Sequence, residues 1–404
     1  MIKQSLALIL VGGVAGCAGA GTEMLTSSRA PASMHRSHTM RVPSGSLGPV
    51  LTTSDGGEIF GFDIDQNGND GLLSSSSGSD ISVQTFDETT GKITKTFGTK
   101  TGRAVRKGDD YVTDGILYGD VGLIDFQRAG KPGKTPAHDL YHVINPVSGQ
   151  KFTGGWNPSI DLFNVLQWAV NQSTPTSVFY GYQREGSDTP KLIVSNVAKN
   201  TVSKVIALDS QQFALGAEPQ LAEDTIHDQA VMATSPSYGA AGGPPPVIAT
   251  VNLKSGKVSE FNGLNCPGSV GCGYADGIAY DSATGVACTT TALDGGVEFY
   301  NVAQRTGVYE HMPDKDGEFY AGSYVVNDSV NHLFLIAQPF SSTSPSGSSV
   351  QVYDESGSFV ESINGLNFTS AGFYVTPVRI AINPNNRIGW VNGPSADQLQ
   401  EFSY

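Results

Sequence analysis

The sequence predicts an all-β fold in which one small unit is repeated around a closed ring, and three observations predict it. First, a hairpin signature recurs as TFDETTGKITKTF, HVINPVSGQKFTG, SNVAKNTVSKVI, TVNLKSGKVSEF, YNVAQRTGVYEH and VYDESGSFVESI. Most copies place Asp or Asn before the turn and Gly where a hairpin needs positive φ, between alternating apolar residues. Second, the units open near Gly61, Gly115, Val165, Asp228, Gly277, Gly322 and Arg379, 45 to 63 residues apart. Third, the last unit, VRIAINPNNRIGWVNGPSADQLQEFSY, holds only three strands, while GPVLTTS at residues 48–54 offers a fourth. An N-terminal strand that completes a C-terminal sheet removes exposed edges, which is how a propeller closes its ring. The expectation is a seven-bladed β-propeller over residues 46–404, with four strands to a blade. A pair of β-sandwiches would leave the repeat unexplained.

Composition supports an all-β, exported protein. Charged residues make up only 15% while Gly reaches 49, a profile of many tight turns and few amphipathic charged helices. The net charge of -14 excludes a nucleic-acid surface, which needs clustered Lys and Arg.

Ahead of the repeats, MIKQSLALILVGGVAGC has a basic start at Lys3 and an apolar, small-residue run from Ser5 to Gly16. That run is shorter than the ~20 residues a spanning helix needs, and it fits an export signal. Val14-Ala15-Gly16-Cys17 resembles the bacterial lipobox, which implies lipidation of Cys17 and an outer-membrane or cell-surface lipoprotein. Ordinary cleavage after Ala18-Gly19-Ala20 would instead give a secreted protein. Membrane contact is expected only through that lipid. Residues 1–17 are thus read as the signal and 18–45 as a Ser/Pro/Gly-rich tether. Cys266 and Cys272 flank PGSVG and suit a disulfide in an oxidising compartment, and Cys288 reads as a buried thiol.

In the first unit, FDIDQNGNDG sets Asp63, Asp65, Asn67 and Asp70 around Gly68. Two readings stay open. The spacing matches the start of a calcium loop, but the twelfth position is Ser74 rather than a bidentate Glu. The same place in later units holds YDSATG, VNDSVN and INPNNR, which are Asx-rich turns. The turn is the stronger reading, and a calcium ion there would be structural.

The blade rhythm and turns such as DGIAYDSATG resemble the broad group of NHL-, YVTN- and SMP-30/lactonase-like propellers, over residues 46–404. The resemblance implies a site at the channel mouth, where loops lead into each first strand and carboxylates hold a divalent cation. The matching positions are Asp114, His227, Asp228 and Asp276 as ligands or bases, with Glu318 and Arg379 completing the set. Asp before Gly at a strand start is also ordinary turn chemistry. HDLYH sets His138 and His142 four apart, about 13 Å along a strand, too far for one metal. No G-x-S-x-G, H-E-x-x-H or phosphate loop is present. The expected function is a propeller that binds a protein or small-molecule ligand outside the cytoplasm. The alternative is a metal-dependent hydrolase of lactonase or phosphotriesterase type.

Overall fold

The computed structural model describes residues 45–404 except 67, 78–79, 99–110, 119–120, 129–137, 145–163, 171–175, 183–188, 197–200, 210–212, 214–219, 235–246, 263–274, 292–295, 312–323, 339–347, 367–378 and 394. Pro43–Tyr404 forms one compact unit. Its strands make separate antiparallel sheets in chain order. The first is β2 (Glu58–Ile64), β3 (Asp70–Ser77), β4 (Asp80–Asp87) and β5 (Lys92–Gly98). A three-stranded sheet follows, β6 (Tyr111–Tyr118), β7 (Val121–Arg128) and β8 (His138–Ile144). The next two are β9 (Asn164–Val170) to β12 (Thr201–Ala207), through β10 (Thr176–Tyr182) and β11 (Pro190–Asn196), and β13 (Gln220–Asp224), β14 (Gln229–Thr234), β15 (Val247–Asn252) and β16 (Val258–Asn262). Then come β17 (Ala275–Asp281), β18 (Val286–Thr291), β19 (Gly296–Asn301) and β20 (Thr306–His311). β21 (Val325–Asp328), β22 (Leu333–Gln338), β23 (Ser348–Asp354) and β24 (Phe359–Leu366) make the sheet after that.

The last sheet is β25 (Ile380–Asn383), β26 (Ile388–Asn392) and β27 (Gln398–Ser403), completed by β1 (Ser46–Thr52). β1 pairs antiparallel with β27, from Ser46 opposite Ser403 to Thr52 opposite Gln398. The spare N-terminal strand therefore sits where the missing fourth strand was expected. First strands of neighbouring sheets touch, β25 with β2, β2 with β6, and β9, β13, β17, β21 and β25 in succession. This is a β-propeller.

The blade count differs from the expectation. Six sheets have four strands, and the β6–β8 sheet has three among the described residues, so the structure shows six complete blades rather than seven. The hairpin HVINPVSGQKFTG, expected to supply the fourth strand there, runs past Ile144 into residues 145–154, outside the described set. The fourth unit also opens earlier than its sequence suggested. Its first strand is β13, QLAED, and HDQAV, read as the first strand, instead spans the turn and the start of β14. His138 and His142 both lie in β8, as the strand reading required.

Packing explains this architecture. Middle strands are covered on both sides by neighbouring blades, so β22 (LFLIAQ) is buried at every position. Outer strands alternate with water, as β12 shows with its exposed-to-intermediate pattern. Hydrophobic clusters bridge consecutive sheets. Val178, Tyr180 and Leu192 pack on Leu221, Met232 and Val251, and Cys288 and Phe299 pack on Phe334 and Tyr353. At the closure, Leu51, Trp390 and Leu399 meet Ile59, Leu73 and Phe86. Trp390 is fully buried, meets Phe86 edge-on at 5.4 Å, and donates its indole N–H to the Glu88 carbonyl at 3.1 Å. Within blades, Phe86 lies across Gly71 and Phe402 across Gly389, so closely that a Cβ at either glycine would collide with the ring.

Candidate functional site

The turns from first strand into second at β13, β17, β21 and β25 are built on one plan. A buried Asp or Asn ends the first strand, and its carboxyl or amide oxygen accepts the backbone N–H groups of the turn. Asp224 Oδ1 accepts from Ile226 (3.0 Å) and His227 (3.1 Å), and Asp281 Oδ1 from Ala283 (2.9 Å) and Thr284 (3.3 Å). Asp328 Oδ1 accepts from Val330 (3.0 Å) and Asn331 (2.9 Å), and Asn383 Oδ1 from Asn385 (3.1 Å). Four residues on, the chain turns left-handed at Asp228 (φ 52), Gly285 (φ 75), His332 (φ 56) and Arg387 (φ 58).

These turns also join neighbouring blades. Thr225 donates its N–H (2.8 Å) and hydroxyl (3.1 Å) to Ser282 Oγ of the next blade. The His332 imidazole Nδ1 lies 2.7 Å from Asp281 Oδ2 across the following junction. Asn383 Nδ2 donates to Glu88 Oε1 (2.8 Å), and Asn386 Nδ2 reaches the same oxygen at 2.7 Å.

Glu88 is fully buried, and its other oxygen, Oε2, has no hydrogen-bond partner. Burial pushes its carboxyl up to about 7; the two asparagines oppose that rise, and the charges of Asp65 and Asp87 add to it. Glu401, on β27, is likewise pushed up to about 7 by burial and by Glu88.

In the first-unit loop the described residues form a hydrogen-bonded turn. Asp65 N–H donates to the Asp70 carbonyl (2.9 Å) and Gly68 N–H to the Asp65 carbonyl (3.2 Å). Asn383 Nδ2 occupies the Asp65 and Gly68 carbonyls, and Asn385 Nδ2 the Gln66 carbonyl at 2.6 Å. Asp63 Oδ1 accepts the Ile64 N–H, and Asp63, Asp65 and Asp70 form no three-ligand group among the described residues. Asn67 lies outside those residues. The loop docks the first blade on the last.

The channel-mouth set does not assemble as expected. Asp114 and Asp276 lie near the start of β6 and β17, each at a register shift in the pairing with the second strand. His227 and Asp228 instead occupy the turn at the far end of β13, because Asp224 caps that turn as Asp281 caps its own. Asp276 is five residues from Asp281, roughly 17 Å along the strand. His227 Nδ1 pairs with Asp224 Oδ2 at 2.8 Å with its own side chain 60% exposed, and Asp228 pairs with Lys254 on the surface at 2.5 Å. Arg379 precedes β25; its guanidinium lies 5.8 Å from the centroid of the Tyr324 ring of the neighbouring blade, and its backbone N–H donates to Asn392 Oδ1 (3.0 Å) within its own blade. Glu318, Cys17, Cys266 and Cys272 lie outside the described residues. Cys288 is a free, fully buried thiol whose pKa burial pushes well up.

One cluster was not expected. Asp281, His332 and Glu355 bring a carboxylate, an imidazole and a second carboxylate together, with one ligand atom from each lying within 4.8 Å of the others. They are the one such group of three among the described residues. Asp281 ends β17, His332 lies in the β21–β22 turn, and Glu355 follows β23. The Asp281 hydrogen bond first, and then its charge with those of Glu355 and Asp328, raises the His332 pKa against the effect of burial. The signal was available in the repeat: Asp281 aligns with Asp224, Asp328 and Asn383, and Glu355 with Glu88.

A second polar nest lies at the opposite end of the first blade. Asp55 accepts from Ser82 Oγ (2.5 Å), Gln84 Nε2 (3.1 Å), the Gly57 N–H (3.1 Å) and Ser75 Oγ (3.2 Å). Burial would raise its carboxyl, but these hydrogen bonds outweigh it and hold the pKa below the usual value. Its partners are all internal, so the nest anchors the β1–β2 connection.

No protein-family model matches the chain, and no curated protein matches it. Solved propellers share its fold. The RRP9 WD40 repeats align with a TM-score of 0.58 at 12% identity, covering 89% of this chain and 97% of theirs. U3-55K aligns at 0.57 and 12%, covering 89% and 98%. The Cps50 (Swd1) β-propeller domain of Myceliophteria thermophila aligns at 0.52 and 8%, covering 89% and 99%. The NHL, YVTN and SMP-30 resemblance has no support among these.

Proposed function

We propose that this chain is a binding scaffold whose partner is a protein, docked on the face made by the turns between first and second strands. The observation that carries the reading is a row of exposed apolar residues at one turn position in three consecutive blades. Ile226 (59% exposed), Ala283 and Val330 (58%) each stand two residues after the capping Asp. They contribute nothing to the buried clusters, and the Asx hydrogen bonds beneath them hold the turns rigid. Pre-ordered apolar tips on a closed frame lose little entropy on binding.

The reading extends to a seventh blade, of which β6–β8 are the described part. It also places the propeller outside the cytoplasm, held by lipid on Cys17, on the strength of the apolar run that precedes that residue.

The test is proximity cross-linking on the full chain in its own cells, comparing wild type with an Ile226→Asp/Val330→Asp variant. A defined partner lost in the variant, with an unchanged melting temperature, is expected. Equal recovery would refute this face as the docking surface. Turnover of a lactone or phosphotriester that Asp276→Ala abolishes would replace the scaffold with the hydrolase reading. Radiolabelled palmitate incorporation that Cys17→Ala removes is expected for the anchor.

A further inference from the structure

We propose that Asp281, His332 and Glu355 form a binding site for a divalent transition-metal ion of the zinc class, which clamps two neighbouring blades together. The donor set is one imidazole and two carboxylates, a combination that suits zinc and disfavours calcium or magnesium, which take oxygen ligands alone. The three ligands come from three separate segments, the end of β17, the β21–β22 turn and the turn after β23.

Each ligand is prepared for that role. Asp281 is fully buried; its Oδ1 is committed to the turn amides of Ala283 and Thr284, which fixes the carboxylate and leaves Oδ2 facing His332. Asp281 Oδ2 and His332 Nδ1 are 2.7 Å apart, whereas two donors on one tetrahedral zinc stand about 3.3 Å apart. An opening of roughly half an ångström would admit the ion between them. Glu355 is partly exposed as a residue, but its Oε2 is shielded from solvent and makes no hydrogen bond. A carboxylate oxygen in that state has lost its water without gaining a donor, which a metal ion would repair. The His332 side chain is 44% exposed, so the ion can reach the site from solvent and keep a water as fourth ligand.

Comparison among the blades isolates this junction. At the junction after Asp224 the places of His332 and Glu355 hold Gly285 and Val302, and at the junction after Asp328 they hold Arg387 and Tyr404. Asp328, also near His332, spends both oxygens on its own turn, on Val330, Asn331 N–H and Asn331 Nδ2.

The experiment uses the full chain stripped with chelator and titrated with Zn²⁺ by calorimetry. Co²⁺ is followed in parallel by its visible absorption, and Ca²⁺ and Mg²⁺ serve as comparisons. Uptake near one equivalent is expected, with a rise in melting temperature, a tetrahedral Co²⁺ spectrum and no comparable response to Ca²⁺ or Mg²⁺. His332→Ala and Glu355→Gln should each weaken Zn²⁺ binding at least about tenfold, while His227→Ala leaves it unchanged. Glu355→Gln preserves shape, so if His332→Ala fails to fold, the Gln variant with matching far-ultraviolet circular dichroism decides. Absence of saturable uptake, uptake that Glu355→Gln leaves intact, loss in His227→Ala, or a preference for Ca²⁺ would each overturn the proposal.

Discussion

Glu88 shows how one buried residue can make a fold sensitive to pH. It sits at the junction where the ring closes, with Oε1 held by Asn383 and Asn386 and Oε2 unpartnered. In the folded chain burial lets it keep its proton to about pH 7, against 4.5 for a free glutamate. The folded state therefore binds more protons between those values, and stability falls as pH rises through the window. The full loss, on the order of 3 kcal/mol, is reached above pH 7. The melting temperature should drop from pH 5 to pH 8, and Glu88→Gln should reduce that drop by several degrees while keeping both asparagine bonds. Parallel curves for the two proteins would show that Glu88 is not the titrating group. Cys288 gives a second expectation at this scale. Full burial and a raised pKa keep it from forming thiolate, so it should resist maleimide in the native protein and react at once in denaturant. Rapid native labelling of Cys288, located by peptide mapping, would contradict its burial.

At the scale of elements, closure depends on β1. Without it, β27 becomes an exposed edge and the cluster of Leu51, Trp390, Leu399 and Phe86 is opened. Leu51→Ala should cost about 2–5 kcal/mol, as expected for a leucine buried in a packed core. Removing residues 46–52 should lower the melting temperature more steeply and promote aggregation, read by calorimetry and light scattering. An unchanged transition after that deletion would mean that the ring does not rely on this strand. The strand was legible in advance because the last unit lacked one and the N-terminal segment had one to spare. The start of the fourth unit was misread for an equally physical reason. QLAED is short, with Glu223 and Asp224 adjacent, and lacks the alternation that marks most strands, whereas HDQAV begins with residues that look like a strand start. Aligning Asp224 with the turn-capping Asp281 and Asp328 would have corrected it.

Where burial is described, it falls from the middle of a blade to its rim. β22 and β23 are almost wholly buried, while β5, β12 and β24 are largely open to water. Amide exchange should follow that gradient, with slow exchange in second and third strands and the fastest in fourth strands. Fourth strands protected as strongly as β22 would point to a partner or a second copy covering the rim.

By itself, the sequence determined the all-β class, the repeat and the strand that closes the ring. These follow from local rules: side-chain alternation, Gly at positive φ, and a count of strands per unit. Even the turn reading of FDIDQNGNDG was local, because the same place in other units held Asx turns. Only the tertiary structure decided which polar residues meet. The Asp281–His332–Glu355 cluster draws on residues 51 and 23 positions apart in the chain, from two blades and three segments, and nothing in any one segment announces it. Its members are brought together where one blade packs on the next. That junction is held by apolar contacts such as Phe299 with Phe334 and Tyr353.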